Sequence, residues 1–221
     1  MSTPARHVDH LVVPVIDLDV AAGKFEAAGY IVTPRADHPF GTSNRLVVFA
    51  DTYLELVAVS DPTAIPRAGF AAEVAAYVSQ GEGVSHVVVS SEDAAADFDA
   101  LSHLGLTPAD SFRFERPAPI ADGTTAVASF SLVLTPSTST LGAFLCAHHT
   151  RSAVWHPSHL AHPNGARRIR KIELTGRAPE LFGEIRVDGV RFGQVEDGVE
   201  IDGAAPPVQI GTLAVSALAA G

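Results

Sequence analysis

The sequence contains a single cysteine, Cys146, among its 221 residues, so no disulfide bond can form within the chain. It has no run of like charge, and its 15 Lys and Arg residues are outnumbered by 25 Asp and Glu residues. The formal net charge of -10 makes nucleic acid and anionic membranes poor partners. No apolar stretch approaches the roughly 20 residues that cross a bilayer, and the first six residues lack the pattern of a signal peptide. We therefore expect a soluble, cytoplasmic protein.

An internal repeat organises the chain. Residues 10–29 match residues 86–105 without a gap. In each copy a histidine precedes three branched apolar residues, which predict a buried strand; an aspartate then marks a helix N-cap and a glycine marks the end of the helix. These residues are His10, Asp17 and Gly29 in the first copy, and His86, Asp93 and Gly105 in the second.

Three strand-like stretches follow each copy, which predicts two βαβββ modules. They are residues 30–34, 45–50 and 52–59 in the first module, and 106–114, 124–134 and 141–148 in the second. A helix at 68–77 is predicted to join the modules, and a strand at 169–174, a short helix at 179–185 and three short strands are predicted to follow them.

The predicted fold class is therefore α+β, with two βαβββ modules forming one cup. The modules span residues 7–60 and 83–150, within a unit of residues 1–166. Residues 167–221 are predicted to form a small α+β extension, a partial third module, packed on the cup.

Strand alternation predicts which side chains point into this cup. The neighbours of His10 form a uniformly apolar face that suits packing under the helix, so His10 points to the opposite side, and the same holds for His86. In the last strand of the first module, alternation directs Tyr53 and Glu55 inward. Two imidazoles and one carboxylate are a metal-binding set that leaves coordination positions open for substrate. We predict that His10, Glu55 and His86 bind a divalent ion, either Fe, Mn, Ni, Co or Zn.

Four motifs, in this order, resemble the vicinal oxygen chelate superfamily, specifically its glyoxalase-like domain proteins. They are Asp9-His10-Leu11-Val12-Val13 followed by Asp17-Leu18-Asp19, then His38-Pro39-Phe40-Gly41-Thr42-Ser43-Asn44-Arg45, Tyr53-Leu54-Glu55-Leu56-Val57 and His162-Pro163-Asn164-Gly165-Ala166. The resemblance implies a metal-holding cup with ligands on the first and last strands of each module, which are again His10, Glu55 and His86. It also implies that His38 and Asn44 orient substrate at the lip, although a loop shaped by its own backbone explains this stretch as well.

The last strand of the second module departs from the family pattern because it has no carboxylate. His148 can supply a fourth ligand, Cys146 can lie nearby, or the site can keep three ligands. The missing glutamate weakens any transfer of glyoxalase I activity. Arg113 and Arg116 flank an aromatic strand, where they can attract an anionic substrate or simply belong to a solvated edge strand.

These observations predict a metal-dependent lyase or isomerase that binds a small oxygen-rich organic molecule through vicinal oxygens. His38, Tyr53 and His148 are the candidates for proton transfer. An extradiol-type Fe(II) dioxygenase and a metal-free small-molecule-binding or resistance protein of the same fold are the alternatives. Because one chain carries both modules, a monomer or a homodimer is expected.

Overall fold

The computed structural model describes residues 6–107, 111–120, 122–136, 141–203 and 205–218. Its strands are β1 (Arg6–Pro14), β2 (Ala36–Asp37), β3 (Thr42–Val48), β4 (Tyr53–Val59), β5 (His86–Ser90), β6 (Ser111–Pro119), β7 (Thr125–Leu134), β8 (Gly142–His148), β9 (Ile169–Thr175), β10 (Val187–Asp188), β11 (Val190–Gly193), β12 (Gly198–Ile201), β13 (Val208–Ile210) and β14 (Leu213–Ala217). Its helices are α1 (Leu18–Ala27), α2 (Phe70–Val78), α3 (Ala94–His103), α4 (Pro157–Leu160) and α5 (Leu181–Glu184), with one 3₁₀ turn at Arg151–Ala153.

The predicted repeat forms two equivalent halves of one curved sheet. The strand order is β2-β3-β4-β1-β5-β8-β7-β6. Within each half the first strand is parallel to the last, β1 to β4 and β5 to β8, and the halves join where β1 pairs antiparallel with β5. Leu11 faces Val87 in this pairing, and these two residues are equivalent in the repeat, so they lie on the local two-fold axis. The edge strands β2 and β6 approach each other and nearly close the sheet around a cup.

The predicted helix boundaries of the repeat are confirmed. The Asp17 carboxylate accepts hydrogen bonds from the first turn of α1, and Asp93 does the same for α3. Gly29 and Gly105 follow the two helices with φ of 80° and 72°, in the left-handed region that favours glycine. The sequence therefore carries both helix ends directly.

One predicted strand is absent, and another is displaced along the chain. Residues 30–34 form no strand, because the loop after α4 binds this segment: Ile31 N donates to His162 Nδ1 (2.9 Å), and Asn164 N donates to Gly29 O (3.2 Å). The predicted strand 106–114 is instead β6, which begins at Ser111 and runs through two prolines to Pro119; residues 108–110 lie outside the described residues. Prolines are tolerated there because β6 is an edge strand.

The C-terminal residues form more strands than predicted. Five short strands follow α5 where three were expected, because strands of two to five residues carry little periodic signal. Four of them join β9 in a second sheet of order β11-β9-β12-β14-β13, while β10 pairs with the start of β1. The second sheet shares a hydrophobic core with α1 and the outer faces of β1 and β4.

Candidate active site

The inner face of the cup encloses a cavity with polar groups on an aromatic wall. Its free volume is about 30 Å³, which is room for about two water molecules. Five of its thirteen lining residues are phenylalanines, which come from both modules and from α2. The polar and titratable residues that line it are His10, His38, Asn44, Tyr53, Glu55, Arg116 and Cys146. The inward direction predicted for His10, Tyr53 and Glu55 is confirmed.

A β-bulge in β1 brings Asp9 to the side of His10. The pairing with β5 advances from Val8 to His10 on one strand but only from Val89 to Val88 on the other, so Asp9 is the extra residue. In a regular strand, adjacent side chains point to opposite faces. Here the Asp9 carboxylate lies 2.7 Å from His10 Nδ1, and both side chains are buried. The bulge therefore creates an aspartate–histidine pair.

The state of this pair follows from its hydrogen bonds. Burial alone raises the pKa of Asp9, but hydrogen bonds from His10 and His148 outweigh burial and hold the pKa below its usual range. Asp9 is therefore a carboxylate that only accepts, and His10 Nδ1 donates to it. His148 Nε2 donates to the same oxygen, at 2.9 Å. When His10 is neutral, its basic nitrogen is therefore Nε2.

His10 Nε2 faces the Glu55 carboxylate across the cavity. Nε2 lies 3.7 Å from Glu55 Oε2, which is beyond hydrogen-bond distance. The other oxygen, Oε1, accepts a hydrogen bond of 2.6 Å from Asn44 Nδ2. The ring of Tyr53 stacks on the His10 ring, with centroids 4.3 Å apart and planes inclined by 12°. The Tyr53 ring thus fixes the position of His10, and the Asn44 amide fixes that of Glu55.

His38 lies on the far side of Glu55. Its Nε2 is 3.2 Å from Asn44 Nδ2 and its Nδ1 is 2.8 Å from Thr42 Oγ1. The Asn44 amide donates one hydrogen to Glu55, so its second hydrogen is available for His38 Nε2. Burial lowers the pKa of His38 to about 4, so the ring is neutral at pH 7.

Burial sets the protonation of two further groups in the wall. It raises the pKa of the Tyr53 phenol well above 10, and it likewise raises the pKa of the Cys146 thiol. Tyr53 therefore stays protonated at neutral pH and can donate a proton or a hydrogen bond. Cys146 is buried and stays a neutral thiol.

His148, a predicted proton-transfer residue, contacts the site indirectly. Its Nε2 is bonded to Asp9, and its ring packs against Tyr53, Phe130 and Trp155. Together with Asp9 it borders a groove on the protein surface rather than the cavity. The catalytic roles of His38, Tyr53 and His148 stay predictions.

His86 is directed away from His10 and Glu55. Its Nε2 lies 2.7 Å from Glu73 Oε2, on α2, and its Nδ1 lies 2.8 Å from Ser85 Oγ. Its ring contacts Phe70 and Phe144, with centroids 5.8 and 5.7 Å away. These aromatic rings stand between His86 and the two other predicted ligands.

The predicted ligand set does not fit a divalent ion in this arrangement. Only His10 and Glu55 face each other, and the position equivalent to Glu55 in the second module is Phe144, which offers no donor. Asp9, His10 and His148 place one ligand-type atom each within 4.8 Å, but both imidazoles there already bond the Asp9 oxygen. The assignment of His10, Glu55 and His86 as metal ligands stays a prediction.

Sequence reasoning did not identify three residues that shape the site. Asp9 belongs to the first family motif but has no predicted role there, and strand alternation predicts the opposite face for its side chain. Glu73 lies on the linking helix, outside the repeat, and no sequence signal connects it to His86. Arg116 was left open between solvent and substrate, and the structure buries it, leaving 5 % exposed, in the cavity wall.

Comparisons with known proteins agree with this architecture. Residues 8–185 match the family model described as a glyoxalase-like domain. A hypothetical protein from Staphylococcus aureus superposes with a TM-score of 0.72 at 14 % identity, covering 96 % of this chain and 100 % of its own. Methylmalonyl-CoA epimerase from Mycobacterium tuberculosis gives 0.47 at 16 % identity, covering 70 % of this chain and 97 % of its own. A mutant of 4-hydroxymandelate synthase from Streptomyces coelicolor gives 0.49 at 13 % identity, covering 94 % and 66 %.

No functionally curated protein sequence matches the chain. At 14 % identity, the likeness to the Staphylococcus aureus protein shows the fold only. In the part of the chain that the structure describes, no helix has the length and apolar character needed to span a membrane.

Proposed function

The chain belongs to the family of glyoxalase-like domain proteins, and from this premise we propose that it is an enzyme that moves a proton on a small oxygen-rich organic molecule. The reaction class is that of a lyase or isomerase. The observation that carries this proposal is the buried Asp9–His10 pair, whose free ring nitrogen faces Glu55 inside the cavity. A base held in one tautomer beside a carboxylate suits the removal of a proton next to a carbonyl group.

His10 is the proposed general base. Asp9 keeps the proton on Nδ1, so Nε2 presents its lone pair to the substrate. When Nε2 takes the substrate proton, the ring becomes an imidazolium between two carboxylates, Asp9 and Glu55, which stabilise the charge. Asp9 contacts no substrate in this proposal and is a positioning residue.

The aromatic lining of the cup also provides a binding surface for the substrate. This aromatic wall would contact the apolar part of a substrate, and a substrate that displaces the water there would strengthen the electrostatic interactions inside. Tyr53, protonated at neutral pH, can donate to a substrate oxygen that becomes negative. The small free volume favours compact substrates, and any larger ligand requires the phenylalanine side chains to move.

Deuterium exchange tests the proposal directly. We would incubate the protein in D₂O with hydroxyacetone and with 2-oxobutanoate, and follow the loss of the protons next to the carbonyl group by ¹H NMR. Exchange is expected to be faster with wild-type protein than without it. His10→Gln should slow the catalysed exchange by roughly 10²- to 10⁴-fold, as expected for loss of general-base catalysis. Glu55→Gln should also slow it, because it removes one of the two carboxylates that stabilise the imidazolium. Asp9→Asn should lower the rate with little effect on probe affinity.

His103→Gln is the control, because His103 is exposed on α3, away from the cup. No catalysed exchange with either probe, or equal rates in wild type and Glu55→Gln, would overturn the proposal. Oxygen consumption with catechol would instead support the dioxygenase alternative. Tight probe binding without exchange would support a binding protein.

The metal-dependent form of this function rests on the family resemblance. It requires His86 to exchange Glu73 for the ion and the rings of Phe70 and Phe144 to move aside. A divalent ion bound there would act as a Lewis acid on a substrate oxygen. Since the donors do not face one point, the acid–base steps above are assigned to this chain's own residues.

A further inference from the structure

The cavity wall contains a buried cation. Arg116 lies in the middle of β6, and its side chain lines the same cavity as His10 and Glu55. Arg113, on the same strand, is the contrasting case: its side chain is 59 % exposed and pairs with Glu115. One of the two arginines that the sequence left undecided therefore belongs to the site.

Arg116 forms no direct ion pair among the described residues, and the nearest carboxylate in its cavity is that of Glu55. Its Nη1 donates to the carbonyl oxygen of Pro117 at 3.2 Å, and its Nε is buried without a hydrogen-bond partner. Glu55 lies beyond the 4.0 Å limit of an ion pair, and its Oε1 is already bonded by Asn44. The ring of Phe130 lies 5.6 Å from the guanidinium carbon and contributes a cation–π contact.

An arrangement of this kind is costly for stability alone. A buried charge without a counter-ion destabilises a fold, and replacing it with an apolar side chain is often neutral or stabilising. Buried polar groups without partners need an explanation, and a bound ligand is one. The planar guanidinium, with several donors in a fixed fork, matches the two oxygens of a carboxylate.

We propose that Arg116 binds a carboxylate group of the substrate, so that the substrate class is a small 2-oxo acid with a short apolar chain. This inference rests on the proposed function. The acid is larger than the free volume of about 30 Å³, so its binding requires the phenylalanine side chains of the wall to move apart. With the carboxylate on Arg116, the 2-oxo group and the adjacent carbon would then extend towards His10 and Glu55, which line the same cavity. Phe40, Phe114 and Leu132 provide the apolar surface for the chain.

Isothermal titration calorimetry tests the assignment with 2-oxobutanoate and its uncharged isostere 2-oxobutanamide. Wild-type protein is expected to bind the acid at least about tenfold more tightly than the amide, as for a hydrogen-bonded charge. Arg116→Met should reduce this preference to about twofold or less, and it should fold because methionine replaces the charge with a flexible apolar side chain. Arg113→Met removes an exposed arginine from the same strand and should keep the wild-type preference.

Equal affinity of wild-type protein for the two probes would overturn the assignment, and this comparison needs no variant. So would the absence of heat with both probes at about 10 mM, a range that reveals millimolar binding, or an unchanged preference in Arg116→Met. Failure of the proposed function looks different. Charge-dependent binding of 2-oxobutanoate without deuterium exchange would keep the carboxylate site and reject the proton transfer.

Discussion

His38 shows how burial fixes the charge of one side chain in this site. Burial is the main cause of its low pKa; the charges of Glu55 and Asp37 oppose the shift, while Arg116 and His10 add to it. In the folded protein the pKa of His38 is about 4, so its ring is neutral at any pH above that value. An exposed histidine titrates near 6.5. Protons therefore bind the unfolded chain more readily than the folded one between these two values.

We expect this difference to make stability depend on pH. As pH falls from 7 to 4, the free energy of unfolding should decrease, and His38 should account for about 3 kcal/mol of the loss. In His38→Gln the decrease should be smaller by that amount. Urea unfolding followed by circular dichroism at several pH values measures it.

The control is His103→Gln, an exposed histidine whose removal should leave the pH dependence unchanged. His159 and His162, which are also buried with a lowered pKa, contribute equally to all three proteins and cancel in the comparison. A His38→Gln profile parallel to that of the wild type would contradict the expectation.

At the same scale, the sequence predicted the directions of His10, Tyr53 and Glu55 because alternation holds along β4 and, in β1, from His10 onward. Asp9 could not be placed in this way, since a single extra residue in β1 changes the face on which a side chain appears. His86 points inward as alternation requires, but its hydrogen-bond partner comes from α2, which the repeat does not contain.

The pairing of β5 with β8 depends on a glycine. Gly142 faces His86 across these strands, and a Cβ atom at Gly142 would lie 2.7 Å from His86 Nε2. No side-chain carbon fits at that distance without movement of the ring or the strand. The absence of a side chain at Gly142 therefore allows the His86 ring to lie against β8 and reach Glu73.

We expect Gly142→Ala to destabilise the protein by about 1–3 kcal/mol, as for overpacking in a well-packed interior. Gly23→Ala is the matched control: a Cβ atom there meets nothing within 4 Å, and Gly23 lies inside α1. This control should stabilise the protein by roughly 0.5–1 kcal/mol through its effect on helix propensity. Urea unfolding measures both, and equal stabilities would contradict the packing argument.

Elements within the repeat were predictable because two copies carry the same signals at the same spacing. The segment 30–34 was not, since its alternating pattern suits a strand but its backbone bonds to a histidine side chain from a distant loop. The short strands after α5 likewise depend on tertiary pairing, as the contact of β10 with β1 shows.

For the whole molecule, the gapless repeat was enough to predict two modules around one cup. The match to the family model confirms the resemblance to glyoxalase-like domain proteins. What the repeat could not reveal is how far its halves have diverged. The histidines are retained in both halves, but Glu55 is matched by Phe144, and α2 places Phe70 and Glu73 against His86.

Metal content tests that divergence. We expect wild-type protein, purified without a histidine tag, to hold well below one equivalent of Fe, Mn, Ni, Co or Zn. The reason is that Nε2 of His86 is hydrogen-bonded to Glu73 and is not free to bind an ion. Glu73→Ala should free His86 and raise the affinity for Zn²⁺ added to the protein. Elemental analysis and zinc titration measure these quantities. One tightly held equivalent in wild type that is lost in Glu55→Ala would support the predicted ligand set instead.

The two modules also differ in a way that affects stereochemistry, because Glu55 in the first is matched by Phe144 in the second. If the same side chain stood at both positions, a planar enol between them could be protonated on either face. Here Glu55 and Phe144 line the cavity from opposite modules. A planar intermediate between them would meet His10, the proposed base beside Glu55, on one side only, so a product with a new stereocentre should form as a single enantiomer.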